Sequence, residues 1–557
     1  MKEKKTTWHT LTVLAMWSII VCSLFSVTAK AQTATFSGPQ PKHEVRAVWL
    51  TTIGGLDWPH SYAQSARSIE KQKQEMRHIL DRLQQAGINT VLLQTRIRAT
   101  TIYPSQLEPW DGCLSGCPGK SPGYDALKFA IDECHHRGME LHAWVVAIPV
   151  GKWDGLGCRT LRRRYPKLIK KIGPDGFMDP EKQGTADYIA RLCDEITRRY
   201  DIDGIHLDYI RYPETWKYKV TRSRGRENIT DIVREISTRV KVLKPWVKMS
   251  CSPVGKHDNL PRFNSHGWNA YTTVCQDAQG WLREGLMDAL FPMMYFRGNQ
   301  FYPFAIDWAE QSCGRMVAPG LGIYFLSPKE GNWKIEDVTR EMHVLRQYGM
   351  GHTFFRGKFL TDNCQGIYDF TARDFNRHPA LVPAMTWVDD VAPDTPDGMR
   401  FDEGRLWWSS VSEPGVTYNV YASEHYPVNT DDAANLVAVR LYRTNIVADN
   451  TRRHYAITAM DRYGNESKPL QEPAPAASKP CDIAERLLPC DGYRLLLPET
   501  DADMVVFETL QGTMVRTATH ADTMDVGRMP QGMYIVRSLN SRGITHRLGH
   551  FRIRRNL

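Results

Sequence analysis

Beyond residue 31 the sequence has no apolar run long enough to cross a bilayer, which excludes a helical membrane span from that part of the chain. It has no basic stripe interleaved with a nucleic-acid-binding motif, and a formal charge of +9 over 557 residues is modest; both argue against nucleic acid as a partner. It has no Gly-rich fingerprint after the first predicted strand. Thr51-Thr-Ile-Gly-Gly-Leu56 lacks the spacing of a dinucleotide-binding turn, which removes the main support for a doubly wound, cofactor-binding sheet. The pair Cys113 and Cys117 has no matching His or Cys pair nearby, so zinc lacks a ligand set. The expected chemistry therefore needs no metal and no redox cofactor.

What is present starts with an export signal. Lys2, Lys4 and Lys5 precede a mostly apolar run from Leu11 to Val27, and Ala29-Lys-Ala31 is a small-x-small cleavage site. Residues 1–31 are thus expected to be a signal peptide, and the mature chain to be exported. Of twelve Cys, Cys22 falls in the signal. Cys113 with Cys117, and Cys481 with Cys490, are candidate bridges. Cys134, Cys193, Cys251 and Cys275 fall on predicted elements as buried thiols. The 16 Trp and 23 Tyr suit sugar stacking and hydrophobic cores alike. Basic residues cluster at Arg159-Thr-Leu-Arg-Arg-Arg164 and Arg552–Arg555; such a face suits an anionic polymer or is simply solvated.

From residue 43 the chain alternates strand and helix. Strands are predicted at 44–52, 88–94, 140–146, 201–213, 247–252, 289–295, 316–324 and 352–359. Helices fall at 69–86, 124–137, 185–200, 228–243, 276–284, 303–313, 335–348 and 364–376. Eight such pairs predict an α/β fold, a (β/α)8 TIM-like barrel at 43–385, with long loops at 97–123 and 147–184 on the rim that would form a cleft. Two small all-β sandwich domains follow, at 393–472 and 486–557, separated by Pro-containing linkers. They are given no catalytic role; they offer a route to cell-envelope association.

The stretch Asp201-Ile-Asp-Gly-Ile-His-Leu-Asp-Tyr-Ile-Arg-Tyr-Pro213 places His206, Asp208 and Arg211 in or just past a buried strand. Buried charge is costly unless paired or used, and barrel chemistry sits at the C-terminal strand ends. Asp208 is therefore either a catalytic carboxylate or half of a structural Asp–Arg pair. Other strand ends supply Arg96 and Arg98, His142 and Trp144, Asp277 and Trp281, Tyr295, and Tyr324. Each has a plain alternative: core rings, satisfied histidines, or an arginine neutralising a nearby acid. Together they point to one cleft.

The motifs Glu44-Val-Arg-Ala-Val-Trp-Leu-Thr-Thr52, Asn89-Thr-Val-Leu-Leu-Gln-Thr-Arg96, Leu141-His-Ala-Trp144, Asp203-Gly-Ile-His-Leu-Asp-Tyr-Ile-Arg-Tyr-Pro213, Cys251-Ser-Pro253 and Asp277-x3-Trp281 occur in this order. Over residues 43 to 380 they resemble the glycosyl-hydrolase-like family 10 of bacterial exported proteins. The resemblance implies a TIM-like barrel acting on glycosidic bonds, with peptidoglycan glycan strands stripped of peptide as substrate. Many members carry two adjacent acids after strand four; here Tyr209 follows Asp208. Acetal cleavage uses two carboxyl groups, so Asp208 is assigned as general acid and Asp277 as its partner, with substrate-assisted cleavage as a variant. Arg96, Arg98, His142, Trp144, His206, Arg211, Trp281, Tyr295 and Tyr324 are the expected substrate-binding residues. Residues 399–469 resemble a fibronectin type III module, and Met529-Pro-Gln-Gly-Met-Tyr-Ile-Val-Arg537 resembles the C-terminal sorting domains of exported Bacteroidetes proteins.

Overall fold

Eight short parallel strands form the centre of the molecule. The computed structural model describes residues 40–554 apart from 264–266, 403, 449–453, 472–486, 499, 501, 503, 511–512 and 540–544. The expected signal peptide, Cys22 and Cys481 lie outside the described residues. The strands are β1 (Arg46–Leu50), β2 (Thr90–Ile97), β3 (Glu140–Val146), β4 (Gly204–Asp208), β5 (Lys248–Cys251), β6 (Ala289–Leu290), β7 (two pieces, Met316–Val317 and Gly320–Leu321) and β8 (His352–Phe354). Each pairs in parallel with its sequence neighbours, and β8 pairs back onto β1 through Arg46 and His352, which closes the barrel. β7 is split at Pro319, which has no N–H to give to the β8 side. The carbonyls of Val317, Pro319 and Leu321 still accept from the amides of Gly351, Thr353 and Phe355, so closure survives the missing rung.

The strands are short and apolar because both faces are covered: every residue of β1 and β3 is buried. Around them run α1 (Ala66–Gln85), α2 (Ala126–His136), α3 (Gln183–Arg199), α4 (Arg222–Leu243), α5 (Ala278–Arg283), α6 (Tyr302–Glu310) and α7 (Ile335–Gln347). α4 begins six residues before the predicted 228 because the Thr221 side chain accepts from the Arg224 amide and caps it there. The predicted last helix, 364–376, begins later, at Ile367: the left-handed Asn363, Gln365 and Gly366 delay it, and Ile367–Phe370 then runs on into a π-helical turn, Thr371–Phe375. The predicted loop 147–184 contains a three-stranded antiparallel sheet (Pro149–Lys152, Ile169–Ile172, Asp175–Met178) and a helix, Leu156–Arg164. Cys113 and Cys117 are both free: the short helix Gly112–Ser115 turns Cys113 inward, while Cys117 lies exposed beyond it. Cys134, Cys193, Cys251 and Cys275 are buried, as expected.

A β-sandwich packs beneath the barrel within the same compact unit, which ends at Gln471. Its sheets are Arg400–Asp402, Arg405–Trp407 and Asn445–Val447 on one side, and Leu436–Leu441, Thr417–Ser423, His454–Met460 and Leu470–Gln471 on the other. Leu406, Trp408, Val420 and Ile457 fill the space between them. The contact is close. Gly138, at φ +71, follows α2, and a Cβ there would lie 2.6 Å from the Val439 carbonyl oxygen. Next to it Arg440, also left-handed at φ 49, drives its guanidinium into the N-terminal floor of the barrel. It reaches Asp203 at 2.6 Å and Glu140 at 3.3 Å, and Glu140 also holds Lys248 at 2.9 Å. Burial alone would push both acids up; Arg440, with Lys248 and His135, instead holds them well below the ordinary carboxylate range.

The second unit, residues 472–557, has its own core of Leu495, Val505, Phe507, Val526, Val536 and Phe551. Its antiparallel sheets are Met514–Thr519, Met504–Thr509, Gly532–Leu539 and Thr545–Ile553 in that order, with Arg494–Leu496 paired to Thr523–Asp525.

Candidate active site

Asp208 is the last residue of β4, at the C-terminal mouth of the barrel, with only 8 % of its surface exposed. The chain turns sharply after it: Tyr209 is left-handed, at φ 49, a conformation that costs a non-glycine residue about 1 kcal/mol or more. That turn folds the Tyr209 amide back to donate to Asp208 Oδ1 at 2.7 Å. Ser252 Oγ, just past β5, donates to the same oxygen at 2.9 Å, and Trp144 Nε1, on β3, donates to Oδ2 at 3.2 Å. Burial pushes the Asp208 carboxyl above the ordinary aspartate range, against the pull of these three bonds and the charge of Arg211. A buried acid with a raised pKa, held by three fixed donors at a strand end, is equipped to keep a proton and deliver it in one direction.

Aromatic side chains stand around the mouth. Tyr295 follows β6, Tyr324 follows β7 and Phe355 follows β8. Tyr295 lies 5.3 Å from Phe355 and 5.8 Å from Tyr324, ring centre to ring centre, and all three are half-buried. The phenol of Tyr295 is pushed up by burial and by the negative charge of Asp208. Tyr209 is half-buried too, with the Arg211 guanidinium 4.2 Å above its ring. Arg211 is not the structural partner of Asp208: it donates to Glu214 at 2.8 Å and faces the exposed ring of Trp268.

Other expected site residues lie elsewhere. Asp277 shares no hydrogen bond with Asp208. It is the N-cap of α5, accepting from the Gly280 amide at 3.0 Å, with His257 and Arg283 beyond it at 3.8 and 3.9 Å. Trp281, one turn on, is fully buried and donates to Thr230 Oγ1 on α4, so it packs two helices together and offers no face to a sugar. Arg96 is sequestered by Glu108 through two bonds of 2.6 and 2.9 Å and by the carbonyls of Val146 and Ala147. His142 and His206 fill the barrel interior. His206 accepts from Trp49 Nε1 at 3.1 Å, which places its own proton on Nδ1, toward Ser250 Oγ; burial and His142 keep it neutral. Arg98 is exposed on the rim. The site therefore gathers Asp208, Trp144, Arg211, Tyr295 and Tyr324 from the expected set and adds Ser252, Tyr209, Trp268 and Phe355. Ser252 and Tyr209 were visible as polar positions at strand ends. Trp268 and Phe355 carried no such signal.

The sequence is similar to several known proteins. The sequence profile of the glycosyl hydrolase-like 10 family matches residues 44–225 and 217–325, a span holding every polar partner of Asp208. The glycosyl hydrolase YngK of Bacillus subtilis (strain 168) is 28% identical over 480 residues, covering 77% of this chain and 93% of that protein. The glycosyl hydrolase DigH of Escherichia coli (strain K12) is 28% identical over 395 residues, 61% of this chain and 89% of its own. Among solved structures, the PgaB glycoside hydrolase domain from Bordetella bronchiseptica aligns at TM-score 0.43 and 12% identity, covering 59% of this chain and 98% of that one. With its profile matched across the barrel from β1 to β7, the chain belongs to the glycosyl hydrolase-like 10 family.

Proposed function

We propose that the protein is an exported hydrolase of glycosidic bonds in an amino-sugar polysaccharide, namely peptide-free peptidoglycan glycan strands, in the periplasm or at the cell surface. The observation that carries the reading is Asp208 itself: a carboxyl raised by burial, at a barrel strand end, fixed by Ser252, Trp144 and the Tyr209 amide. Asp208 protonates the leaving oxygen. The acetamido oxygen of the substrate attacks the anomeric carbon as the glycosidic bond breaks, the role a protein carboxylate fills in other glycosidases; the ionised Asp208 then takes a proton from the water that opens the resulting oxazolinium ion and leaves the hemiacetal. Tyr295, Tyr324 and Phe355 flank the sugar. The C-terminal β unit tethers the enzyme to the envelope.

The test is release of new reducing ends from amidase-treated sacculi. The native chain is expected to release them, and Asp208→Asn to lower turnover by about 10²–10⁴-fold with unchanged circular dichroism and melting temperature. A variant as active as the native chain removes Asp208 from the acid role. No release by the native chain, with binding retained, leaves a carbohydrate-binding barrel in its place.

A further inference from the structure

Six of the chain's nine net positive charges fall within residues 149–178, where eight Lys or Arg face only Asp154 and Asp175. This segment is the antiparallel excursion after β3, on the rim that carries Asp208. Part of its charge is committed internally. Arg162 and Lys171 lie over the Trp153 ring at 3.8 and 5.3 Å, Lys170 lies over Trp216 at 3.6 Å, and Arg164 donates to the Leu107 carbonyl at 2.9 Å. Arg159, Arg163 and Lys167 are exposed and have no hydrogen-bond or ion-pair partner among the described residues.

Between this excursion and the loops after β1 and β2 lies a groove of about 650 Å3. Asp208 is not among its lining residues. Its charged lining is Arg98, Lys152, Asp111 and Asp175. Lys152 pairs with Asp175 at 3.0 Å, and Asp111 accepts from Thr100 Oγ1 and the Cys113 amide, which leaves Arg98 as the uncommitted charge beside Tyr62 in the lining. Tyr62 is 57 % exposed, and its ring rests on Gly116, where a Cβ would come within 3.0 Å of ring carbons. Arg98 is exposed, held left-handed at φ 56, with its stem against Gly151 and no partner for its guanidinium among the described residues. An unpaired guanidinium beside an open aromatic face is suited to one kind of ligand: a flat-faced ring carrying a carboxylate.

We infer that this groove is a subsite for a carboxylate-bearing sugar unit, separate from the point of cleavage, and that the basic excursion draws an anionic glycan onto the rim. The inference rests on the reading that the rim handles a glycan. Tyr62 stacks on the sugar, Arg98 takes its carboxylate, and Arg159, Arg163 and Lys167 supply the longer-range field, which salt screens.

Calorimetric titration of the full-length Asp208→Asn chain tests it, using a muramic-acid-containing tetrasaccharide and the same compound with its carboxylates reduced to alcohols. The carboxylated form is expected to bind about tenfold more tightly, the scale of one charge-assisted hydrogen bond. That advantage should shrink as salt rises from about 50 to 500 mM. Arg98→Gln should lower the ratio of the two affinities several-fold, whereas Tyr62→Ala should weaken both ligands together. Equal affinities in the parent chain, a ratio unmoved by Arg98→Gln, or no binding of either compound would each overturn the inference. Loss of the catalytic reading shows separately, as absent turnover by the native chain.

Discussion

At the scale of single residues, Asp208 is governed by opposing effects. Burial favours its neutral form, while three donors favour its carboxylate, and burial wins. Ser252 is the donor that can be removed without touching the backbone or a wall of the site. Its bond to Oδ1 stabilises the ionised acid, so Ser252→Ala should raise the Asp208 pKa further. A general acid works only while protonated, and activity falls as pH rises through that pKa. The alkaline limb of the kcat/KM profile on glycan strands is therefore expected to move to higher pH in Ser252→Ala, with the acidic limb in place. A limb that stays put would mean that another group supplies the proton. The neighbouring outlier supports the same assignment. Tyr209 is held left-handed where its amide meets Oδ1, and backbone strain of this kind persists where the surroundings require it.

At the scale of elements, what could be read from sequence followed the range of the interaction. β3 was predicted at 140–146 and is found there, because an apolar run between Gly138 and Pro149 is a local signal. Asp208 and its rings were legible for a related reason: polar groups at the ends of apolar strands stand out. Longer-range pairings were not. Arg96 was open to two readings, a substrate ligand or a partner for a nearby acid, and nothing local announced that Glu108, across a loop, would hold its Nε and Nη2. Asp277 looked like an acid in a cleft, since a side chain that caps a helix and one that performs catalysis read alike. The clearest case is the strand Leu436–Leu441, which appeared to be part of a spacer. Its Arg440 bonds Asp203 across 237 residues and completes the barrel floor. Removing one partner of a buried ion pair leaves the other charge stranded. Arg440→Ala is therefore expected to lower stability to urea by about 3–5 kcal/mol. Arg440→Lys should recover only part of this, because an ammonium cannot reach two carboxylates in the fixed geometry of a guanidinium. If Arg440→Ala melts with the native chain, the floor does not depend on this strand.

At the scale of the whole molecule, the same contact decides where the catalytic unit ends. The barrel by sequence runs to residue 385, and a chain stopped shortly after it, at 390, contains every residue placed at the mouth. It would also lack Arg440 and Arg462, the partners of Asp203, Glu140 and Asp201 on the floor. A chain stopped at 471 keeps the complete first compact unit. The shorter chain is therefore expected to melt well below the longer one at neutral pH, and to lose activity through instability although its mouth is intact. The pH dependence gives this prediction a signature. Glu140 and Asp203 have folded pKa values held below those of the unfolded chain. Their contribution is fully present above the unfolded carboxylate pKa, about 4, and is lost as pH falls toward the folded values. Without Arg440 that contribution is already missing. The gap in melting temperature between the two chains should be widest near neutrality and should narrow as pH drops below about 4. A gap that is constant with pH would assign the loss to apolar packing of the sandwich against the barrel, and would remove the ion pairs from the account of why the two are built as one unit.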